Sequence, residues 1–137
     1  MRMWLVILAL TTLSRAAAAE HQPCTQQEAI TAETQASTLE SWDALHRSFI
    51  QFGHCDDASI AEGYSEAVSR LLAEDWKNLP VFQRYAARNR AFERFVLRHV
   101  DGTWSLDRVR TVAENARERC SNRRRKLCQK ILRELAR

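Results

Sequence analysis

Glycine and proline are almost missing from this chain of 137 residues, at three and two. So few turn-makers exclude a fold of many short strands joined by tight turns. No stretch alternates apolar with polar β-branched residues, and no internal repeat occurs. A glycine-rich phosphate loop is excluded by the same scarcity, and neither a Gly-x-Ser-x-Gly elbow nor a His-Glu-x-x-His pair is present. Past residue 19, no apolar run approaches the ~20 residues that span a bilayer. Ala, Leu, Glu, Arg and Gln dominate what remains, which is helical composition.

The first nineteen residues read as a cleavable export signal. Arg2 supplies the positive start. Trp4 to Leu13 is an apolar run of ten, too short for a membrane span. Ala17, Ala18 and Ala19 offer the small residues that signal peptidase needs. The expected mature chain is residues 20–137, a single helical domain in the periplasm or a secreted fluid.

Loss of the signal removes Arg2 and Arg15, so the formal net charge falls from +4 to +2. The remaining charge is uneven. Residues 20–104 carry eight Lys or Arg against thirteen Asp or Glu, a balance of −5. Residues 105–137 carry eleven against four, a balance of +7. A basic segment on an acidic body suits partners with complementary patches. It also suits two halves that face each other, or helix faces that are simply solvated.

Apolar spacings of three and four predict helices. Leu39, Trp42, Leu45, Phe49 and Phe52 form one stripe, with Ser37 and Glu40 fitting a capping box and Gly53 closing the helix. Residues 25–36 carry little apolar weight and read as an upstream extension. Asp56 or Asp57 caps a second helix with Ile60, Tyr64, Ala67, Val68, Leu71, Leu72 and Trp76 inward. Pro80 opens a third helix holding Val81, Phe82 and Tyr85. Asn89 interrupts it before a stretch with Phe92, Phe95, Val96 and His99, closed by Asp101 and Gly102. Ser105 caps a helix with Leu106, Val109, Val112, Ala113, Ala116 and Cys120 on one face. After a break at Ser121 and Asn122, Leu127, Cys128, Ile131, Leu132 and Leu135 line the last helix. The expected fold is all-α, a five- or six-helix antiparallel bundle with one or two disulfides and aromatic residues in its core.

Cys24, Cys55, Cys120 and Cys128 allow three pairings, and disulfides are the default in an exported chain. Unbroken helix would hold Cys120 and Cys128 about 12 Å apart, beyond bridging range. The break at Ser121 and Asn122 favours a local Cys120–Cys128 clasp. Cys24–Cys55 is expected only if the first helix breaks near Ser37. The Cys-x7-Cys spacing matches no zinc module, so neither a metal nor a cofactor is expected.

His54, Cys55, Asp56 and Asp57 form the densest polar cluster, with Glu62 and Glu66 following. A histidine beside a cysteine and carboxylates invites a nucleophile reading. Against it, adjacent residues rarely face each other, the cysteine is expected to be oxidised, and the aspartates explain themselves as caps. His99 and Asp101 can touch at a helix end, where a cap is the simpler role. Gly63 sits inside a helix, where it costs about 1 kcal/mol against Ala, so a close helix approach, a partner contact or simple tolerance accounts for it. Arg123, Arg124, Arg125 and Lys126 cluster at a helix start, the wrong end to favour the dipole. Nucleic acid is a poor partner for an exported protein. Anionic lipid, glycan or an acidic protein surface fits better, while an exposed helix start with solvated charges is the simplest reading and an unstructured run another.

The segments Gly53 to Asp57, Ile60 to Ser65 and Phe95 to Asp101 resemble those of a group of small exported proteobacterial proteins. That resemblance spans most of the expected mature chain and implies no activity. More loosely, and by architecture only, the chain is similar to periplasmic immunity proteins that neutralise cell-wall amidases delivered by type VI secretion. The expected function is non-enzymatic binding of a periplasmic protein partner, as an inhibitor or immunity factor. Candidate partner-binding residues are His54, Asp56, Asp57, Glu62, Tyr64, Arg123, Arg124 and Arg125. A small hydrolase built on the His54/Asp56/Asp57 or His99/Asp101 cluster is the alternative, and a structural envelope protein a third reading.

Overall fold

The computed structural model describes residues 22–101 and 103–137. The expected export signal lies outside the described residues, as does Gly102. Among the described residues no strand forms and seven α-helices do: α1 (Gln26–Ala36), α2 (Trp42–Phe52), α3 (Ala58–Glu74), α4 (Leu79–Arg88), α5 (Arg90–Arg98), α6 (Leu106–Glu118) and α7 (Arg125–Leu135). Short 3₁₀ turns at Gly53–Cys55, Trp76–Asn78 and Asn122–Arg124 precede α3, α4 and α7. Among the described residues no helix is long and apolar enough to cross a membrane.

The count of seven corrects the expected five or six, and α1 accounts for the difference. It is a separate helix, not an upstream extension of α2. Thr25 starts it with a capping box: Glu28 N–H donates to Thr25 Oγ1, and Thr25 N–H donates back to the Glu28 carboxylate at 2.9 Å. Ser37, expected to open the next helix, instead ends α1. Ser41 caps α2, accepting from Ala44 N–H at 3.1 Å. Helix α1 buries only Ala32 and Ala36, which is why its apolar stripe is so faint.

The other expected caps lie near their predicted places. Asp57 opens α3, Asn89 both ends α4 and caps α5, and Ser105 caps α6. Gly53 differs from expectation. Its φ of −61° is ordinary helical backbone, and a Cβ there would meet the Phe49 ring at 2.8 Å. Close packing, not a left-handed turn, explains that glycine.

Helix α3 is the hub. It packs against α1 on one side and α6 on another, while α6 packs on α7. Helices α2, α4 and α5 close the bundle, with α5 meeting α7. Trp42, Tyr64, Phe82, Phe92 and Phe95 are fully buried, and Trp42 stacks on Phe82 with ring centroids 4.9 Å apart. Burying each such side chain contributes about 1.5–3 kcal/mol. Leu106, expected inward, is 81% exposed, because it opens α6 before that helix reaches the core. Polar tethers add to the apolar contacts. Arg70 donates to the Ser37 and Leu39 carbonyls, holding the α1–α2 joint onto α3. The buried Asn115 amide of α6 donates to the Leu72 and Ala73 carbonyls at the end of α3.

Both bridges form, Cys24–Cys55 and Cys120–Cys128, with Cα–Cα distances of 5.0 and 6.4 Å. The helix breaks at Ser37 and at Ser121 are what bring each pair within range.

Candidate functional site

Two clefts gather most of the candidate residues. The larger, about 800 Å³, lies between α4, α5 and the start of α7. The 3₁₀ turn and first turn of α7 place Arg123, Arg124, Arg125 and Lys126 along one wall. Gln83 Nε2 donates to the Arg123 carbonyl at 3.3 Å and holds that wall to α4. Across the cleft, Arg90 and Lys130 both pair with Glu93, its single acidic side chain. Among the described residues, Arg123, Arg124, Arg125 and Lys126 make no ion pair, so their charge faces solvent. Ala86 and Leu127 add apolar surface to the lining. Such a groove can hold an extended anionic chain with apolar side groups.

The second cleft, about 520 Å³, is built where the turn before α3 meets the end of α5. Its centre is a hydrogen-bonded row. His99 Nε2 lies 3.1 Å from the Asp56 carboxylate, and His99 Nδ1 lies 3.0 Å from Ser65 Oγ. Arg98 also donates to Asp56, at 3.1 Å. Burial pushes Asp56 up, but the His99 ring and then the Arg98 guanidinium pull it further down, leaving it below its ordinary value of 3.8. Trp104 lines the same cleft, and its buried indole N–H has no hydrogen-bond partner among the described residues.

This row joins one member from each of the two clusters singled out in the sequence. Neither cluster forms within itself. Asp101 accepts from Thr103 N–H, while the His99 ring turns inward beside Phe95, 4.8 Å away. Asp57 serves as a cap, accepting from Ala58 N–H at 2.8 Å. His54 sits on the other side of the turn, 3.4 Å from Glu28. Glu62 is exposed at the second cleft's edge, with Glu66. Tyr64 is fully buried, with its hydroxyl 2.9 Å from Ser48 Oγ, so it presents no surface to a partner. Burial holds its phenol above its ordinary pKa, partly offset by Ser48.

Sequence reasoning passed over Ser65, Arg98 and Trp104, and over Arg90 and Lys130 in the basic groove. One signal was present: His99 shares the apolar stripe of Phe92, Phe95 and Val96, which aims it inward.

The serine–histidine–aspartate row has the residue types of an acyl-transfer site but lacks one part of it. Ser65 lies inside α3, where backbone N–H groups are committed to carbonyls four residues back. Among the described residues, α3 offers no free backbone N–H beside Ser65, and the Arg98, Thr103 and Trp104 side chains are the cleft's donors outside the row itself.

Comparison with protein-family models, with curated proteins and with solved structures finds no match to this chain.

Proposed function

We propose that this chain is a non-enzymatic binding protein of the periplasm, an inhibitor or immunity factor whose basic groove receives an acidic segment of a protein partner. The observation that carries this reading is the wall formed by Arg123, Arg124, Arg125 and Lys126. Four cations with no ion-pair partner among the described residues, Arg125 bonded only to the neutral Asn122 side chain, set at a helix start where the dipole disfavours them, are costly unless an external anion meets them. The two disulfides and the lack of a membrane-spanning helix among the described residues are compatible with export. Affinity purification from a periplasmic extract is expected to recover one stoichiometric protein. Replacing Arg123, Arg124 and Arg125 together by Glu is expected to weaken that complex at least about 100-fold, since reversing charge at such a surface costs several kcal/mol. Unchanged affinity would refute the groove as the docking site.

A second reading, a small hydrolase, rests on the Ser65–His99–Asp56 row. Its test is separate. A fluorophosphonate probe should label the native chain and fail on Ser65→Ala if Ser65 is a nucleophile. Absence of labelling on the native chain ends this reading.

A further inference from the structure

The turn that carries His54 and Cys55 meets the start of α1, and the side chains there have the makings of a metal site. The sulfurs of Cys24 and Cys55 and a ring nitrogen of His54 lie within 4.8 Å of one another. His54 Nε2 is buried and makes no hydrogen bond among the described residues. Its closest carboxylate oxygen, Glu28 Oε1, is 3.4 Å away. Nitrogen and oxygen ligands on a tetrahedral zinc ion, each at about 2.0–2.1 Å, lie about 3.3–3.4 Å apart. The observed pair therefore already has the edge length of such a site.

The carboxylate is also oriented. Its other oxygen, Oε2, accepts from Thr25 N–H at 2.9 Å and Thr25 Oγ1–H at 2.7 Å. Those bonds leave Oε1 turned to His54, as outer partners commonly orient a metal-binding carboxylate. Thr25 adjoins Cys24 in the chain and His54 adjoins Cys55, so one capping box and one 3₁₀ turn gather Cys24, Cys55 and His54 as one close group and set Glu28 beside His54, from where its carboxylate must swing in to complete the site.

We infer that, once the Cys24–Cys55 bridge is reduced, Cys24, Cys55, His54 and Glu28 bind one zinc ion. The exchange balances. A dithiol reductant closes its own two S–H groups into a disulfide and passes two electrons and two protons to the bridge. The Cys24–Cys55 bond breaks and two thiols form. Zinc then displaces both thiol protons to solvent and binds two thiolates, an imidazole and a carboxylate, all ordinary zinc ligands. Two thiolates on zinc sit about 3.8 Å apart. Rotation about the two side chains supplies that separation across a Cα–Cα distance of 5.0 Å. The site thus exchanges a covalent staple for a metal staple at the same joint. Sequence spacing conceals it, because the ligands arrive as Cys-x3-Glu and an adjacent His-Cys pair.

The test uses the full chain, oxidised or reduced with a phosphine, and cobalt(II) as a spectroscopic stand-in for zinc. The reduced chain is expected to bind one equivalent, with tetrahedral d–d absorption and a thiolate-to-cobalt charge-transfer band, and the oxidised chain none. Cys24→Ser with Cys55→Ser is expected to abolish the band, while Cys120→Ser with Cys128→Ser keeps it. His54→Ala is expected to weaken cobalt binding at least about 10-fold. Zinc should raise the melting temperature of the reduced chain and leave that of the oxidised chain unchanged. The inference is overturned if the band follows Cys120 and Cys128, if His54→Ala binds as tightly as the native chain, or if zinc fails to stabilise the reduced chain. The melting measurement stands even if reduction loosens α1, since metal binding then has more structure to restore.

Discussion

At Ala58, the first residue of α3, φ is +47°, in the left-handed region that a Cβ disfavours. An alanine there costs about 1–2 kcal/mol. Ala58→Gly removes that strain and loses part of the gain to unfolded-chain entropy. A net stabilisation of about 0.5–1 kcal/mol is expected, read as a higher urea midpoint at constant slope. Gly63 gives the opposite sign. In a helix interior, Gly→Ala normally gains about 1 kcal/mol. Here a Cβ would lie 2.7 Å from Ala36 Cβ and 3.1 Å from the Ser37 nitrogen. Overpacking of that kind costs about 1–3 kcal/mol. Gly63→Ala should therefore lower the melting temperature, and a rise would show that α1 yields easily. Of the readings that the sequence offered for Gly63, a close helix approach is seen.

Helices differ in how they are held, and α1 depends most on its bridge. It buries two alanines, and eleven residues of isolated helix are marginal in water. In the chain-entropy description, closing 31 residues contributes about 3.5–4 kcal/mol and closing 8 about 2.5 kcal/mol. Replacing Cys24 and Cys55 by Ser is thus expected to cost more stability than replacing Cys120 and Cys128. Hydrogen exchange should localise the first loss to α1. The turn before α3 is joined to α5 by charge instead. Asp56 is held below its ordinary 3.8 by His99 and Arg98, despite its burial. A carboxylate depressed in the folded state stabilises fully above its unfolded pKa, and that stability fades as pH falls through the folded value. The native chain should therefore lose stability on acidification below about pH 4, where unfolded aspartates take up protons. Asp56→Asn should flatten that acid limb in a melting-temperature profile. An equally steep limb would place the sensitivity elsewhere.

Across the whole molecule, legibility followed the size of the buried side chains. Helices α2 to α7 announce themselves because Trp42, Leu72, Phe82, Phe95, Val112 or Ile131 recur at helical spacing. Helix α1 does not, because Ala32 and Ala36 bury little area and leave no contrast with its exposed face. Asp56 and His99 were legible one at a time, Ser65 was not, and the three were not legible as a set. The pairs they form span 34 and 43 residues, and only the packing of α5 against the turn before α3 unites them. The basic groove was half legible. Its Arg123 to Lys126 wall is a run in the sequence, whereas Arg90 and Lys130 join it through tertiary structure.

The Cys120–Cys128 bridge spans the most cleavable stretch of the chain. Arg123, Arg124, Arg125 and Lys126 all lie inside its loop, in and beside an exposed turn, and each is a target for trypsin-like proteases. A nick there severs the backbone but leaves α7 tied to α6 through sulfur. A nicked molecule should run as one species on a non-reducing gel and shed a short C-terminal peptide only after reduction. The wall that the groove presents to a partner is therefore also the place where the chain can be cut without coming apart.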